Sequence, residues 1–172
     1  MRASATPPDR HPPSTGLAAQ VLALVLFLLL CYGAAFLGQQ ATAPNIPTWY
    51  AGLEKPWFNP PNAVFPIAWG ILYTLMAVAA WLVWRRPASD RRMKALVAFG
   101  VQLVLNVAWS WAFFGLQNPL LGLVVIVPLL LAIAWMLLTF RPVSPLAALL
   151  TVPYLAWVAF ATLLNTAIYF LN

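Results

Sequence analysis

Five long apolar runs, separated by short segments that carry nearly all the charge, decide what this chain can fold into. Only 7% of its 172 residues are charged and 63% are hydrophobic. A water-soluble domain carries roughly 25% charged residues, so this one could not clothe its surface. A bilayer crossing takes about 20 apolar residues, and runs of that length fall at 17–37, 65–84, 95–114, 119–140 and 145–171. Backbone polar groups in hydrocarbon must be satisfied within their own segment, and the short alternating stretches of a membrane barrel are missing. The expected fold is all-α, a five-transmembrane-helix bundle over residues 17–172.

Two segments fall outside the spans. Residues 1–16, with Arg2, Arg10, Pro7, Pro8, Pro12 and Pro13, read as a disordered, Pro-rich tail with little to bury. Ala41-Thr42-Ala43 imitates a signal cleavage site, but the preceding run exceeds the ~7–15 residues of a signal peptide core, so the first helix is expected to be retained. Residues 38–64 are expected to form a loop. Pro44, Pro47, Pro56, Pro60 and Pro61 stiffen it, and Trp49, Tyr50, Trp57 and Phe58 are too apolar to idle in water. A lid folded over a pocket mouth accounts for both.

Basic residues give the bundle a direction. With five spans, Arg2, Arg10, Arg85, Arg86, Arg91, Arg92, Lys94 and Arg141 share one side, and Lys55 stands alone on the other. The positive-inside rule then places the amino terminus in the cytoplasm and the aromatic loop and carboxyl terminus outside, a bias that fits a bacterial inner membrane. The net charge of +6 reads as a topology signal and as contact with anionic headgroups, not as nucleic-acid binding.

The spans are poor in chemistry. Asp9, Glu54, Asp90, the single His11 and every Lys and Arg lie in the tail or loops. Proton relays and voltage sensors are built from intramembrane ionisable residues, and five helices do not divide into two equal inverted repeats. Pumps, proton-coupled antiporters and the common secondary-transporter designs are therefore disfavoured. One His and the mid-span Cys31 make no metal site, and phosphate loops and nucleophile elbows are missing. No metal and no required cofactor is expected.

What the spans do hold is aromatic and neutral polar residues at helical spacing. Phe65, Trp69, Tyr73, Met76 and Ala80 share a face of the second span; Gln102, Asn106, Trp109, Ser110 and Phe113 share one on the third. On the fifth, Tyr154, Trp157, Ala161 and Asn165 follow at steps of three, four and four. An amide in hydrocarbon must point inward. Interhelical hydrogen bonds, worth ~0.6 kcal/mol each on average, and a ligand cavity both account for these faces. Trp81 and Trp84, beside Arg85-Arg86, fit an interfacial belt.

WYAGLEKPWFNPPNAVFPIAWGILYTLM, QLVLNVAWSWAFFG and VPYLAWVAFATLLN follow one another in this order. Together they resemble the TspO/MBR family of bacterial tryptophan-rich sensory proteins and the mitochondrial translocator protein, also called the peripheral benzodiazepine receptor. The likeness extends over roughly residues 20–172. It implies a homodimer of five-helix bundles with a pocket under the first loop for porphyrins (protoporphyrin IX or haem), sterols or benzodiazepine-type drugs. Residue by residue it implies contacts from Trp57, Phe65, Trp69, Tyr73, Asn106, Trp109, Ser110, Phe114, Trp157, Ala161 and Asn165. Leu164 and Tyr169 lack the following basic residue of the sterol-contact pattern, which makes a tetrapyrrole the expected ligand. Sensing, regulation or transport of tetrapyrroles is the leading implied function. The alternatives are light- and oxygen-dependent porphyrin breakdown, with Trp69 and Trp157 as electron donors, and an interaction subunit that regulates a membrane partner.

Overall fold

The structure, a computed structural model, describes residues 16–172. Most of the expected disordered tail therefore lies outside the described residues. Five helices are long and apolar enough to cross a membrane, and no strand occurs among the described residues. They are α1 (Leu17–Thr42), α2 (Val64–Trp84), α3 (Asp90–Ser110), α4 (Pro119–Phe140) and α5 (Pro145–Leu171).

Helix ends follow local chemistry more closely than hydropathy. Ser89 caps α3 by accepting from the Arg92 amide at 3.2 Å, and Asp90 sits in the first turn, where a carboxylate opposes the positive end of the helix dipole. The helix thus begins before the apolar run at Ala95. Asn118 and Ser144 cap α4 and α5 in the same way, each followed by a proline at the first helical position, where a missing N–H costs nothing. The α3–α4 turn is tight enough that Gln117 adopts φ 51°. Its side chain donates to Asn45 Oδ1 at 2.8 Å.

The first helix departs most from expectation. It runs past Leu37 to Thr42 and continues through a 3-10 turn (Ala43–Asn45) and a wide π turn (Ile46–Tyr50). Thr42, Asn45 and Thr48 each donate from the side chain to the carbonyl four residues back, so the coil tightens at Pro44 and widens at Pro47 without ending. The irregular loop is correspondingly short. Asn172 pins it by exchanging two hydrogen bonds with the Glu54 backbone, at 3.0 and 3.1 Å.

Around the bundle the helices follow the order α1, α2, α5, α4, α3 and back to α1. Ala77, Ala79, Ala80, Ala95, Ala98 and Ala147 are buried where they meet. Small residues let helix backbones approach, the main source of packing where lipid tails are as apolar as the core. Ala34 and Gly38, a small-x-x-x-small pair on α1, are buried inside the chain. A Cβ on Gly38 would lie 3.0 Å from Ser110 Oγ. Gly122 is tighter still, since a Cβ there would meet Asn165 Oδ1 at 2.7 Å and Phe113 at 2.8 Å.

Gly122→Ala is therefore expected to cost about 1–3 kcal/mol through overpacking, lowering the thermal midpoint in detergent by several degrees. Gly33→Ala, where a Cβ meets nothing within 4 Å, is expected to leave the midpoint unchanged or raise it. Equal midpoints for the two variants would count against the α3–α4–α5 packing described here.

Candidate binding cavity

A cavity of about 520 Å³ lies in the half of the bundle beneath the aromatic loop. From α2 it is lined by Phe65, Trp69 and Tyr73; from α3 by Asn106, Trp109 and Ser110, with Phe113 and Phe114 from the π turn that follows. From α5 come Ala161, Leu164, Asn165 and Ile168. Each set recurs at three- and four-residue steps, so one face of each helix turns inward.

The aromatic wall is braced from within. Trp69 lies 5.5 Å from Tyr73 and 6.5 Å from Trp109, with ring planes tilted by 33° and 30°. Trp109 stacks on Phe113 at 5.8 Å, and Phe113 meets Phe114 edge-on at 4.8 Å. Tyr50 closes the outer end. It is buried against Phe113 and Phe114, and its hydroxyl donates to Asn59 Oδ1 of the loop at 2.9 Å.

Two hydrogen-bonded groups hold these walls in register. Tyr73 donates its hydroxyl hydrogen to Asn106 Oδ1, and Asn106 Nδ2 donates to the Tyr154 hydroxyl at 3.0 Å. Tyr154 in turn donates to Gln102 Oε1 at 2.8 Å. This chain ties α2, α3 and α5 together below the cavity and ends at Gln102 Nε2, which is buried without a partner among the described residues. On the other wall, Trp109 Nε1 donates to Asn165 Oδ1 at 3.3 Å, and Asn165 Nδ2 donates to the Pro119 carbonyl at 2.9 Å. Asn165 thereby satisfies a carbonyl of α4 while its oxygen fixes the indole.

The mouth lies between α1 and α2. The exposed lining residues Tyr32, Phe36, Gln39, Asn62 and Pro66 come from α1, the approach to α2 and its first turn. Tyr32 closes the seam further in, with its hydroxyl 2.8 Å from Thr74 Oγ1 and donating to the Gly70 carbonyl at 3.3 Å. None of the lining side chains is an Asp, Glu, Lys, Arg or His. The cavity is neutral, mostly aromatic, and polar only at a few fixed amides and hydroxyls.

Of the residues expected here, Phe65, Trp69, Tyr73, Asn106, Trp109, Ser110, Phe114, Ala161 and Asn165 are brought together around one space. Trp57 and Trp157 are not. Trp57 is 96% exposed at the loop bend, where Phe58 turns inward toward Phe160 in its place. Trp157 is half-buried in the α2–α5 seam, edge-on to Phe65 at 6.0 Å and beside Phe160. The inward position one turn earlier belongs to Tyr154, which meets Trp69 at 6.2 Å. Sequence reasoning missed the α1 wall. Tyr32, Ala35, Gln39, Thr42 and Ile46 line the cavity at steps of three, four, three and four, a pattern legible in principle from polar residues recurring on one face at the end of a Leu-rich run.

A five-span helical membrane protein with an uncharged, tryptophan-walled cavity is the class that this fold and site define. Residues 27–171 match the TspO/MBR family. The chain is 45% identical to the tryptophan-rich protein TspO of Archaeoglobus fulgidus over 153 residues, covering 88% of this chain and 98% of the relative. It is 42% identical to the protein of the same name from Chlorobaculum tepidum, covering 89% and 98%. With the human translocator protein it shares 42% identity over 70% of this chain and 73% of that one. The chain belongs to the TspO/MBR family.

Tyr154→Phe tests the buried chain. It leaves Asn106 Nδ2 and Gln102 Oε1, both on buried side chains, without this partner, at about 1–3 kcal/mol for each unsatisfied group. The thermal midpoint of the purified protein is expected to fall by several degrees. A change below one degree would show that the chain carries no stability.

Proposed function

We propose that this membrane protein binds a flat, largely apolar macrocycle of the tetrapyrrole class, such as protoporphyrin IX, and senses or carries it. The observation that carries this reading is the Trp69–Tyr73–Trp109 wall facing a space of about 520 Å³, within the ~300–1,000 Å³ common for small-molecule sites. Trp69 and Trp109 are 6.5 Å apart. A ring slotted between them would need roughly 7–8 Å at carbon contact distances of ~3.5–4.0 Å on each side. The macrocycle therefore stacks on the open face of this pair, with Asn106 and Ser110 beside it. The names of the relatives, a tryptophan-rich protein and a translocator protein, are consistent with this role. Membrane placement with the amino terminus in the cytoplasm of a bacterial cell, and assembly as a homodimer, belong to the same proposal. The first rests on the basic-residue asymmetry, the second on family resemblance alone.

No lining side chain is a His, Cys or Met, and the hydroxyls of Tyr32, Tyr50 and Tyr73 are held in hydrogen bonds, so metal-free porphyrin is expected to bind at least as well as haem. Tight six-coordinate haem spectra would contradict this pocket. The decisive titration follows tryptophan fluorescence of the detergent-purified protein as protoporphyrin IX is added. Saturable micromolar quenching is expected. Trp69→Ala and Asn106→Ala should weaken binding about three- to tenfold, in line with the ~0.5–1.5 kcal/mol of an aromatic contact or of a hydrogen bond. Trp57→Ala should change the affinity little. Equal quenching in every variant would remove tetrapyrroles from this cavity. Light-dependent loss of bound porphyrin, abolished by Trp69→Phe, would turn the reading toward an enzyme.

A further inference from the structure

At the opposite end of the bundle from the cavity, a second, shallower groove of about 340 Å³ runs along the first half of α1. Ala19 and Ala23 leave space between Leu22, Leu26 and Leu30, and Trp84, the last residue of α2, borders it. The α1 stretch from position 19 to 30 rises about 16 Å at 1.5 Å per residue. That is close to half of a ~30 Å hydrocarbon core, the depth of one leaflet.

Beyond the groove's own lining, the residues next to Trp84 in the chain are basic and held in place. Trp81 donates its indole N–H to the Gln20 carbonyl at 2.9 Å, tying the start of α1 to the end of α2. The Arg85 guanidinium lies 4.4 Å over the Trp81 ring, a cation–π placement in which its N–H donors lie in the guanidinium plane, at the edge and not the face that meets the ring. Arg92 spends its Nη1 on the carbonyls of Trp84 and Arg86, at 3.2 and 2.8 Å, and so fixes the α2–α3 turn. Arg85, Arg86, Arg91 and Lys94 remain exposed around it, with Asp90 the one carboxylate in that segment.

We propose that this groove is a binding site for an anionic phospholipid, with one acyl chain along α1 and its phosphate on Arg85 and Arg86. Any lipid can wet an apolar groove. Charge complementarity selects an anionic one, because guanidinium pairs with phosphate through charge-assisted, often bidentate hydrogen bonds. The site is independent of the tetrapyrrole reading, since it shares no lining residue with the cavity.

Native mass spectrometry of the full chain in detergent, with phosphatidylglycerol or phosphatidylcholine added, tests it. Wild type is expected to bind phosphatidylglycerol about tenfold more tightly, the scale set by one or two basic residues at an anionic surface. Arg85→Gln/Arg86→Gln should erase that preference while the far-UV circular dichroism of the helical bundle is retained. Leu26→Trp, which fills the groove from its lipid-exposed rim, should lower retention of both lipids. Equal binding of the two lipids by wild type would overturn the proposal, as would a preference that survives the double substitution. Inorganic phosphate at millimolar concentration should leave bound phosphatidylglycerol in place; its displacement would reduce the site to a free-anion patch. A change of oligomeric state in Leu26→Trp without loss of lipid would mark the groove as a contact between copies of this chain and overturn it equally.

Discussion

Hydrocarbon offers no hydrogen-bond partner, and that constraint organises the bundle beyond making it helical. Threonines in the spans discharge it locally. Thr151, Thr162 and Thr166 each donate to the carbonyl one turn back and ask nothing of a neighbouring helix, while Thr74 does the same and also meets the Tyr32 hydroxyl. Amides cannot be satisfied so cheaply, because a carboxamide presents two donors and an acceptor. Gln102, Asn106 and Asn165 therefore reach across, to Tyr154, Tyr73, Trp109 and the Pro119 carbonyl. These contacts decide which levels of α2, α3, α4 and α5 meet, and so where the aromatic rings of the cavity wall stand.

Residue size then decides where the bundle is solid and where it is hollow. In the basic half, alanines at 77, 79, 80, 95, 98 and 147 are fully buried and bring the helices together. In the half beneath the loop, indole and phenyl rings face Ala35, Gly38, Gly70, Ser110 and Ala161. Large side chains opposite small ones could collapse into the gap. Here they are held back by one another, through the stacked and edge-on contacts that run from Trp69 to Phe114, and by the hydrogen bond on the Trp109 indole. The cavity is a consequence of rigid rings that brace each other before the space is filled.

The legible parts of this arrangement were those set by single helices. Run length located all five spans, because a bilayer fixes the length of an apolar segment. Polar residues within those runs marked the inward faces of α2, α3 and α5, because an amide facing lipid would go unpaired. Hydropathy missed the ends: the coil begun by α1 continues through Thr42 and Asn45, polar residues whose side chains return to their own backbone. Periodicity also cannot rank two aromatics on adjoining turns, so Tyr154 and Trp157 looked equivalent until packing gave the inward place to the tyrosine. Trp57 and Phe58 pose the same problem in the loop, where no period exists. The chain from Tyr73 to Gln102 was invisible for a further reason: its members were singled out helix by helix, while their meeting depends on the relative height of three helices.

Neutrality of the cavity has a consequence for any ligand that carries charge. A carboxylate drawn fully inside would find amides and hydroxyls but no cation, at a desolvation cost of several kcal/mol. In the proposed tetrapyrrole reading, the apolar face of the macrocycle lies on Trp69 and Trp109, and its acidic edge must stay at the α1–α2 mouth, where Gln39 and Asn62 are exposed. Orientation then follows from what the cavity lacks as much as from what it offers. A sterol-like or drug-like ligand without charge meets no such restriction and can enter either way round, so a strict orientation distinguishes the two ligand classes on physical grounds.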